Sequence, residues 1–279
     1  MGFRLANVAG RAALVENDEW YDLERVSGGA YDGDPMAAVV GHAGLHALAA
    51  GLGGHEADGS MADADLGAPV PAPRNNFAIG LNYKDHAAEA DLELPTKPLI
   101  FTKFPSCISP PNVDIELRTE TGDYEVEVVV VIGEGGRDIA ADDAWRHVAG
   151  ITCGQDVSDR RLQFAAKPPQ FAMGKSRDTY GPIGPVLVSP DLFDNPDEID
   201  LSCSVNGEER QRDNTRNLIF TVPHLIAYIS AITTLAPGDM IFTGTPEGVG
   251  GPKRIYLKPG DVVVSTVAGV GTMTNTCVA

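Results

Sequence analysis

Up to about residue 66 the apolar positions of the chain fall in short, uneven groups. Phe3–Val8 and Ala12–Val15 read as small strands. DPMAAVVGHAGLHALAAG (34–51) reads as a helix, with Asp34 as N-cap, Pro35 at the first helical position and Gly51 as its stop. GGHEADGSMADADLGAPVPAPRNN then mixes Gly, Ala, Asp and Pro, the composition of a linker. The pattern divides the chain near residue 70, into a small N-terminal domain with its linker (1–70) and a main domain (71–279).

In the main domain the apolar runs become strand-like. FAIGLNY (77–83) and PLIFTKF (98–104) predict strands, separated by KDHAAEADLEL (84–94), a short polar helix or flexible segment. GDYEVEVVVVIG (122–133) is a third strand. A helix is expected around DDAWRHVAG (142–150), ended by Gly150, and ITCGQDVS continues as extended chain. TVPHLIAYISAITTL (221–235) places Leu225, Ile226, Ile229, Ile232 and Leu235 on one face of an amphipathic helix capped by Thr221. PGDMIFTGT (237–245) and PGDVVVST (259–266) each turn on Pro-Gly into a strand. No solenoid period interrupts this order, and the class it predicts is α+β rather than a βαβ series.

The third strand carries the first chemical signal. Side chains alternate along a strand, so Glu125 and Glu127 share a face with Val129 and Val131, about 6–7 Å apart along the chain at roughly 3.3 Å per residue. Apolar residues on both faces after Glu127 mark a strand buried on both sides. Two carboxylates at the edge of such an interior cost several kcal/mol each, on the order given by burial of unpaired charge. Either arginine or lysine pairs them at a rim, or they hold a hard cation together with a third oxygen ligand. The nearest downstream candidate is Asp156 in GITCGQDVSDRRLQ.

Composition narrows the partners. The 279-residue chain carries a formal charge of −18, which disfavours nucleic acid, whose phosphates need a basic surface. No apolar run reaches the roughly 18–20 residues of a membrane span, and the N-terminus lacks the apolar core of a secretory signal. Cys107, Cys153, Cys203 and Cys277 lie far apart, as free thiols of a cytoplasmic protein would. IGEGGRD fails the dinucleotide fingerprint because Asp138 stands where the last glycine belongs. TGTPEGVGG lacks the G-K-[ST] of a phosphate loop, and no G-x-S-x-G elbow is present.

Six ordered motifs then carry a resemblance: GLNYKDHAAEA (80–90), GDYEVEVVVVIG (122–133), GQDVSDRRLQ (154–163), GKSRDTYGPIGP (174–185), VNGEERQRDNT (205–215) and PGDMIFTGTPEGVG (237–250). From about residue 72 onward the chain resembles the fumarylacetoacetate hydrolase family, in particular its shorter bacterial members. The resemblance implies a mixed β-roll or β-sandwich-like main domain beside a small separate N-terminal unit, assembled as a homodimer. It implies Mg²⁺ or Mn²⁺ as cofactor, held by Glu125, Glu127 and Asp156, which would neutralise the buried acids and leave coordination sites for substrate.

The resemblance also implies roles for other residues. Lys175 would stabilise developing negative charge, Arg160 and Gln163 would contact substrate, and Thr245 would bind its carboxylate. His86 and Glu89, three apart on one helical face, would form a dyad on a mobile lid that activates water. The activity implied is hydrolysis of a C–C bond in a β-diketo acid of the acylpyruvate or fumarylpyruvate type. Oxaloacetate decarboxylation or enol–keto isomerisation of a 2-oxo acid uses the same site. A metal- or ligand-binding member without chemistry is the reading from another class. Three departures lie near the expected substrate mouth: Arg177 after GKS, Asp159-Arg160-Arg161, and FAAKPPQFAM (164–173). The added Arg161 and Arg177 favour a substrate with a second carboxylate.

Overall fold

The computed structural model of the chain describes residues 2–89, 91 and 93–279. Its architecture is α+β, built on mixed sheets. The large sheet runs, in spatial order, through Gly59–Ser60, Glu19–Asp22, Arg11–Glu16, Arg4–Val8, Gly181–Val188, Val148–Gln155, Val126–Ile132, Met240–Phe242, Asn76–Gly80 and Leu99–Thr102. A second sheet joins Glu208–Asn214, Asp200–Val205, Val262–Val267, Gly271–Val278 and Ile115–Glu116. Met240–Phe242 lies parallel to Asn76–Gly80, whereas Val126–Ile132 is antiparallel to both of its neighbours. Among the described residues no helix is long and apolar enough to cross a membrane.

The valine run behaves as its pattern requires. Every residue of Val126–Ile132 and of its neighbour Val148–Gln155 is buried, and alternate valines feed two different cores. Val126, Val128 and Val130 share one core with Ile151 and with Leu201 and Val263 of the second sheet, while Val129 and Val131 share the other with Leu5 and Leu14 of the N-terminal strands. Gly154 sits opposite Glu127 in the ladder. A Cβ there would lie 2.5 Å from Val129 Cγ2 and 2.8 Å from the Phe242 ring, so only glycine lets these layers close. Phe242→Ala, which empties a fully buried ring position in this centre, is expected to cost about 3–5 kcal/mol in urea denaturation.

The N-terminal strands are continuous with this centre. Arg4 and Leu5 pair with Val188 and Leu187, so a ladder crosses the expected division near residue 70. The linker-like stretch contributes Gly59–Ser60 and Leu66–Gly67 as short edge pairs.

Three elements differ from their expected form. The helix expected over 34–51 is broken: Pro35–Val40 and Leu45–Gly51 are joined by 3₁₀ turns at His42–Gly44. Tyr31 wedges there, its hydroxyl donating to Gly41 O at 2.7 Å, and a Cβ on Gly44 would lie 2.4 Å from that hydroxyl oxygen. Around 142–150 the helix is replaced by 3₁₀ turns over Ala141–His147, followed at once by strand. Gly150 is a packing position rather than a stop, because a Cβ would meet Leu187 at 2.5 Å. The amphipathic helix spans Val222–Ile232 and does bury Leu225, Ile226 and Ile229. Ile232, however, is 66% exposed, and the helix stops before two β-branched threonines, leaving Leu235 to be buried from extended chain. In the segment 84–94, Lys84–Glu89 is helical; Ala90 and Leu92 lie outside the described residues.

Candidate metal centre and active-site pocket

The ladder of the strand Val126–Ile132 ends at Val126, between the two glutamates. Glutamine side chains take over from the ladder there. Gln155 Oε1 accepts the Glu125 N–H at 2.9 Å, and Gln211 Oε1 accepts the Val126 N–H at 3.0 Å. The Asp156 N–H donates to Glu125 O at 2.8 Å, which brings the second strand's acid to the first strand's pair. As a result Glu125, Glu127 and Asp156 each turn a carboxylate oxygen into one group, all within 4.8 Å of one another and all buried.

Cations surround part of this group. Lys175 Nζ lies 2.7 Å from Glu125 Oε2 and 2.7 Å from Asp156 Oδ2, and donates to Ser158 Oγ at 2.8 Å. Arg160 bridges Glu125 Oε1 at 2.5 Å and Asp123 Oδ2 at 2.7 Å. Lys103, fully buried, reaches Asp156 Oδ1 at 2.7 Å and also donates to the carbonyls of Tyr180 and Lys175. Four acids (Asp123, Glu125, Glu127, Asp156) thus face three bases (Lys103, Arg160, Lys175).

The residual negative charge falls on Glu127. Among the described residues no ion pair reaches it, and Glu127 Oε2 accepts only a backbone N–H, from Gly244 at 2.8 Å. Burial, with Asp156 and Glu125 beside it, pushes the Glu127 carboxyl well above the usual carboxylate range. Burial acts in the same direction on Glu125, but Lys175 and Arg160 outweigh it and hold that carboxyl below its usual range. An all-oxygen, buried, net-negative cluster with one uncompensated member fits a hard divalent cation such as Mg²⁺ or Mn²⁺.

Above the cluster opens a cavity of about 810 Å³ lined by His86, Glu89, Glu125, Arg160, Gln163, Lys175 and Thr245. Glu127 and Asp156 do not line it; they are buried beside Glu125, which does. His86 Nδ1 meets Glu89 Oε1 at 2.8 Å, and both Glu89 oxygens accept the Gly248 N–H, at 3.1 and 3.0 Å. Gln163 Oε1 accepts from Arg160 Nη1 at 3.1 Å. Thr245 is committed more deeply than a free hydroxyl: it donates to Val126 O at 2.9 Å and accepts from Gln211 Nε2 at 2.8 Å.

The stretch TGTPEGVGG has a use that its lack of a lysine conceals. Its amides hold carboxylates instead of phosphate: Gly244 on Glu127, Gly248 on Glu89, and Gly250 and Gly251 on Asp123 at 2.7 and 2.8 Å. Gly248 has φ +100°, and a Cβ there would come within 1.9 Å of Arg210 O, so the loop depends on glycine at that position.

The three departures sort differently. Arg177 does not line the cavity; it pairs with Asp159 Oδ2 at 2.8 Å, so it brings no free charge to a second substrate carboxylate. Asp159 caps the short helix Arg160–Gln163 through Leu162 N–H and also accepts from Thr119. Burial opposes its ionisation, but these bonds and Arg177 hold its carboxyl below the usual range. A folded-state value below the unfolded one stabilises the fold above the ordinary carboxylate range, about pH 3.9, and that contribution is lost as pH falls through the folded value. Asp159→Asn should therefore flatten the acid limb of a stability-against-pH curve, read by thermal denaturation from pH 7 down to about 3.

Sequence reasoning missed Lys103, Asp123, Gln155 and Gln211. Lys103 did leave a trace, a lone charge between phenylalanines in an apolar strand, which is rare unless the charge is paired. All four cysteines are free and buried.

Comparison with known proteins bears on this site. A 2,4-didehydro-3-deoxy-L-rhamnonate hydrolase of Sphingomonas sp. (strain SKA58) is 41% identical over 244 residues, 85% of either chain. The mitochondrial oxaloacetate tautomerase FAHD2A of Homo sapiens is 41% identical over 212 residues, 75% of this chain and 68% of that one. The crystal structure of maleylpyruvate hydrolase from Sphingobium sp. SYK-6, in complex with manganese(II) ion and pyruvate, superposes with a TM-score of 0.83 at 31% identity over 99% of this chain and 98% of that one. Residues 75–278 match the family model of the fumarylacetoacetate (FAA) hydrolase C-terminal domain. With that match, the fold and these relatives, the chain belongs to the fumarylacetoacetate hydrolase family.

Proposed function

We propose that this protein is a Mg²⁺- or Mn²⁺-dependent hydrolase that cleaves the C–C bond of a 2,4-dioxo acid of the acylpyruvate type. The observation that carries this reading is the uncompensated Glu127 in the buried Glu125–Glu127–Asp156 cluster, beside a cavity that Glu125 lines together with the His86–Glu89 pair. Glu125, Glu127 and Asp156 would hold the cation, which when bound supplies Lewis-acid polarisation of the 2-oxo acid end.

The chain's own groups then divide the work. Glu89, anchored on Gly248 N–H, fixes the imidazole through Nδ1, leaving Nε2 of His86 to take a proton from water. The hydroxide adds to the 4-oxo carbon; the C3–C4 bond then breaks and its electron pair passes to the pyruvate enolate. Protonation at C3 releases pyruvate and a carboxylic acid, and the atoms of one water are accounted for. Lys175, already among carboxylates at the floor, offsets the negative charge that develops. Arg160 and Gln163 orient the acid end, with Thr245 at the cavity wall.

Enol–keto isomerisation of oxaloacetate is the second reading, supported by the FAHD2A tautomerase relative. It needs the same enolate and a proton carrier but no attacking water. Side-by-side assays with Mn²⁺ on acylpyruvates, oxaloacetate and enol tautomers separate the two. Pyruvate release from an acylpyruvate supports hydrolysis; turnover of oxaloacetate tautomers alone supports isomerisation. Turnover of none, with metal bound, supports a binding protein.

A further inference from the structure

The cavity has two chemically distinct ends. Its floor gathers Glu125, Arg160, Gln163 and Lys175, and the polar 2-oxo acid end belongs there if the proposed function holds. From that floor an aromatic run leads outward. Lys175 Nζ lies 5.3 Å from the Phe101 ring centroid. Phe101 meets Phe171 edge to face at 5.5 Å, and Phe171 meets Phe164 in the same way at 6.1 Å. Phe164, at the outer end, is 58% exposed although it lines the cavity. The three rings thus form one continuous apolar surface along the lining. Leu81, Val249 and Tyr256 add further apolar surface to the lining.

The charges along the lining do not favour a second carboxylate. Arg160 is already shared by Asp123 and Glu125, and Arg177 is held by Asp159 away from the cavity. Asp91 and Glu89 add negative charge to the lining. Arg161 lines the cavity as well, but it is exposed and also borders a separate cleft beside Arg118 and Lys258.

We infer that the substrate's far end, beyond the dioxo unit, is an uncharged alkyl or aryl group seated on Phe101, Phe171 and Phe164. This rests on the proposed function, which sets the acid end at the floor. It runs against the expectation of a dicarboxylate, because two of the three phenylalanines come from the departing stretch around 164–173, and Arg177 is already paired. A carboxylate pressed against that wall would lose its hydration with no partner, whereas each apolar carbon gains.

The test is calorimetric titration of the Mn²⁺-loaded protein with pyruvate, 4-methyl-2-oxopentanoate and 2-oxoglutarate, the last two of matched length. The branched apolar acid should bind about tenfold or more tighter than 2-oxoglutarate, the scale of one to two methylenes in an apolar pocket. Phe171→Ala and, on the exposed rim, Phe164→Ala should each shrink that ratio, with affinities taken relative to pyruvate. Pyruvate binding together with equal affinity for the two longer acids overturns the inference. So does tighter 2-oxoglutarate binding that Arg161→Ala removes. In both cases the proposed function survives. Absence of metal-dependent pyruvate binding overturns the proposed function, and this inference with it.

Discussion

Glu127→Gln is expected to lower the affinity for Mn²⁺ by at least about 100-fold, a loss no smaller than that from disturbing a ligand's outer contacts. Two effects add. The substitution removes one of three oxygen donors, and it cancels the only carboxylate of the cluster without a paired base among the described residues. Glutamine keeps the size of the side chain and still offers an oxygen to Gly244 N–H, so the surrounding packing should persist. In the metal-free protein burial and the neighbouring acids already hold the Glu127 carboxyl toward its neutral form, so the neutral amide should leave thermal stability nearly unchanged. With Mn²⁺ present, wild type should melt at higher temperature and the variant should not, because only a state that binds the ion is stabilised by it. Isothermal titration and paired melting curves check both parts. An unchanged dissociation constant would remove Glu127 from the metal site.

His86→Asn should lower kcat for acylpyruvate cleavage by about 10²–10⁴-fold, the usual contribution of a positioned general base. Metal affinity should not follow, since His86 contacts Glu89 and not the acidic cluster. Glu89→Gln is expected to fall between wild type and His86→Asn. It keeps a polar group beside the imidazole but loses one of the two oxygens that grip Gly248 N–H. Steady-state kinetics at saturating Mn²⁺ separate these outcomes. A His86→Asn variant with full kcat would move the water-activating role elsewhere in the cavity.

Much of this arrangement was legible in the chain because it depends on local pattern. The unbroken apolar run after Glu127 could be accommodated only by a strand covered on both sides, and the structure covers it. Period-two alternation brought Glu125 and Glu127 to one cluster, and i, i+3 spacing joined His86 to Glu89. What was not legible depends on partners distant in sequence. Lys103 meets Asp156 from 53 positions away, and the Gln155 and Gln211 amides stitch backbone that no local rule assigns to them. The segment 34–51 and Gly150 misled in opposite ways. Gly41 lies where Tyr31 breaks an otherwise plausible helix, whereas Gly150 has the setting of a helix stop but is a gap cut for Leu187.

The glycine-rich loop at 244–251 has a consequence for how this protein can change. Its amides hold Glu127 in the acidic cluster, Glu89 behind the imidazole, and Asp123, which in turn holds Arg160. Three separate parts of the site thus share one stretch of main chain as their datum. A substitution that tilts this stretch moves all of them together, so it damages chemistry whatever the substrate. The aromatic stretch around 164–173 meets the cavity through side chains and can be rewritten without touching that datum. New substrates for such a scaffold are therefore to be sought by varying the phenylalanines, with the glycines left in place.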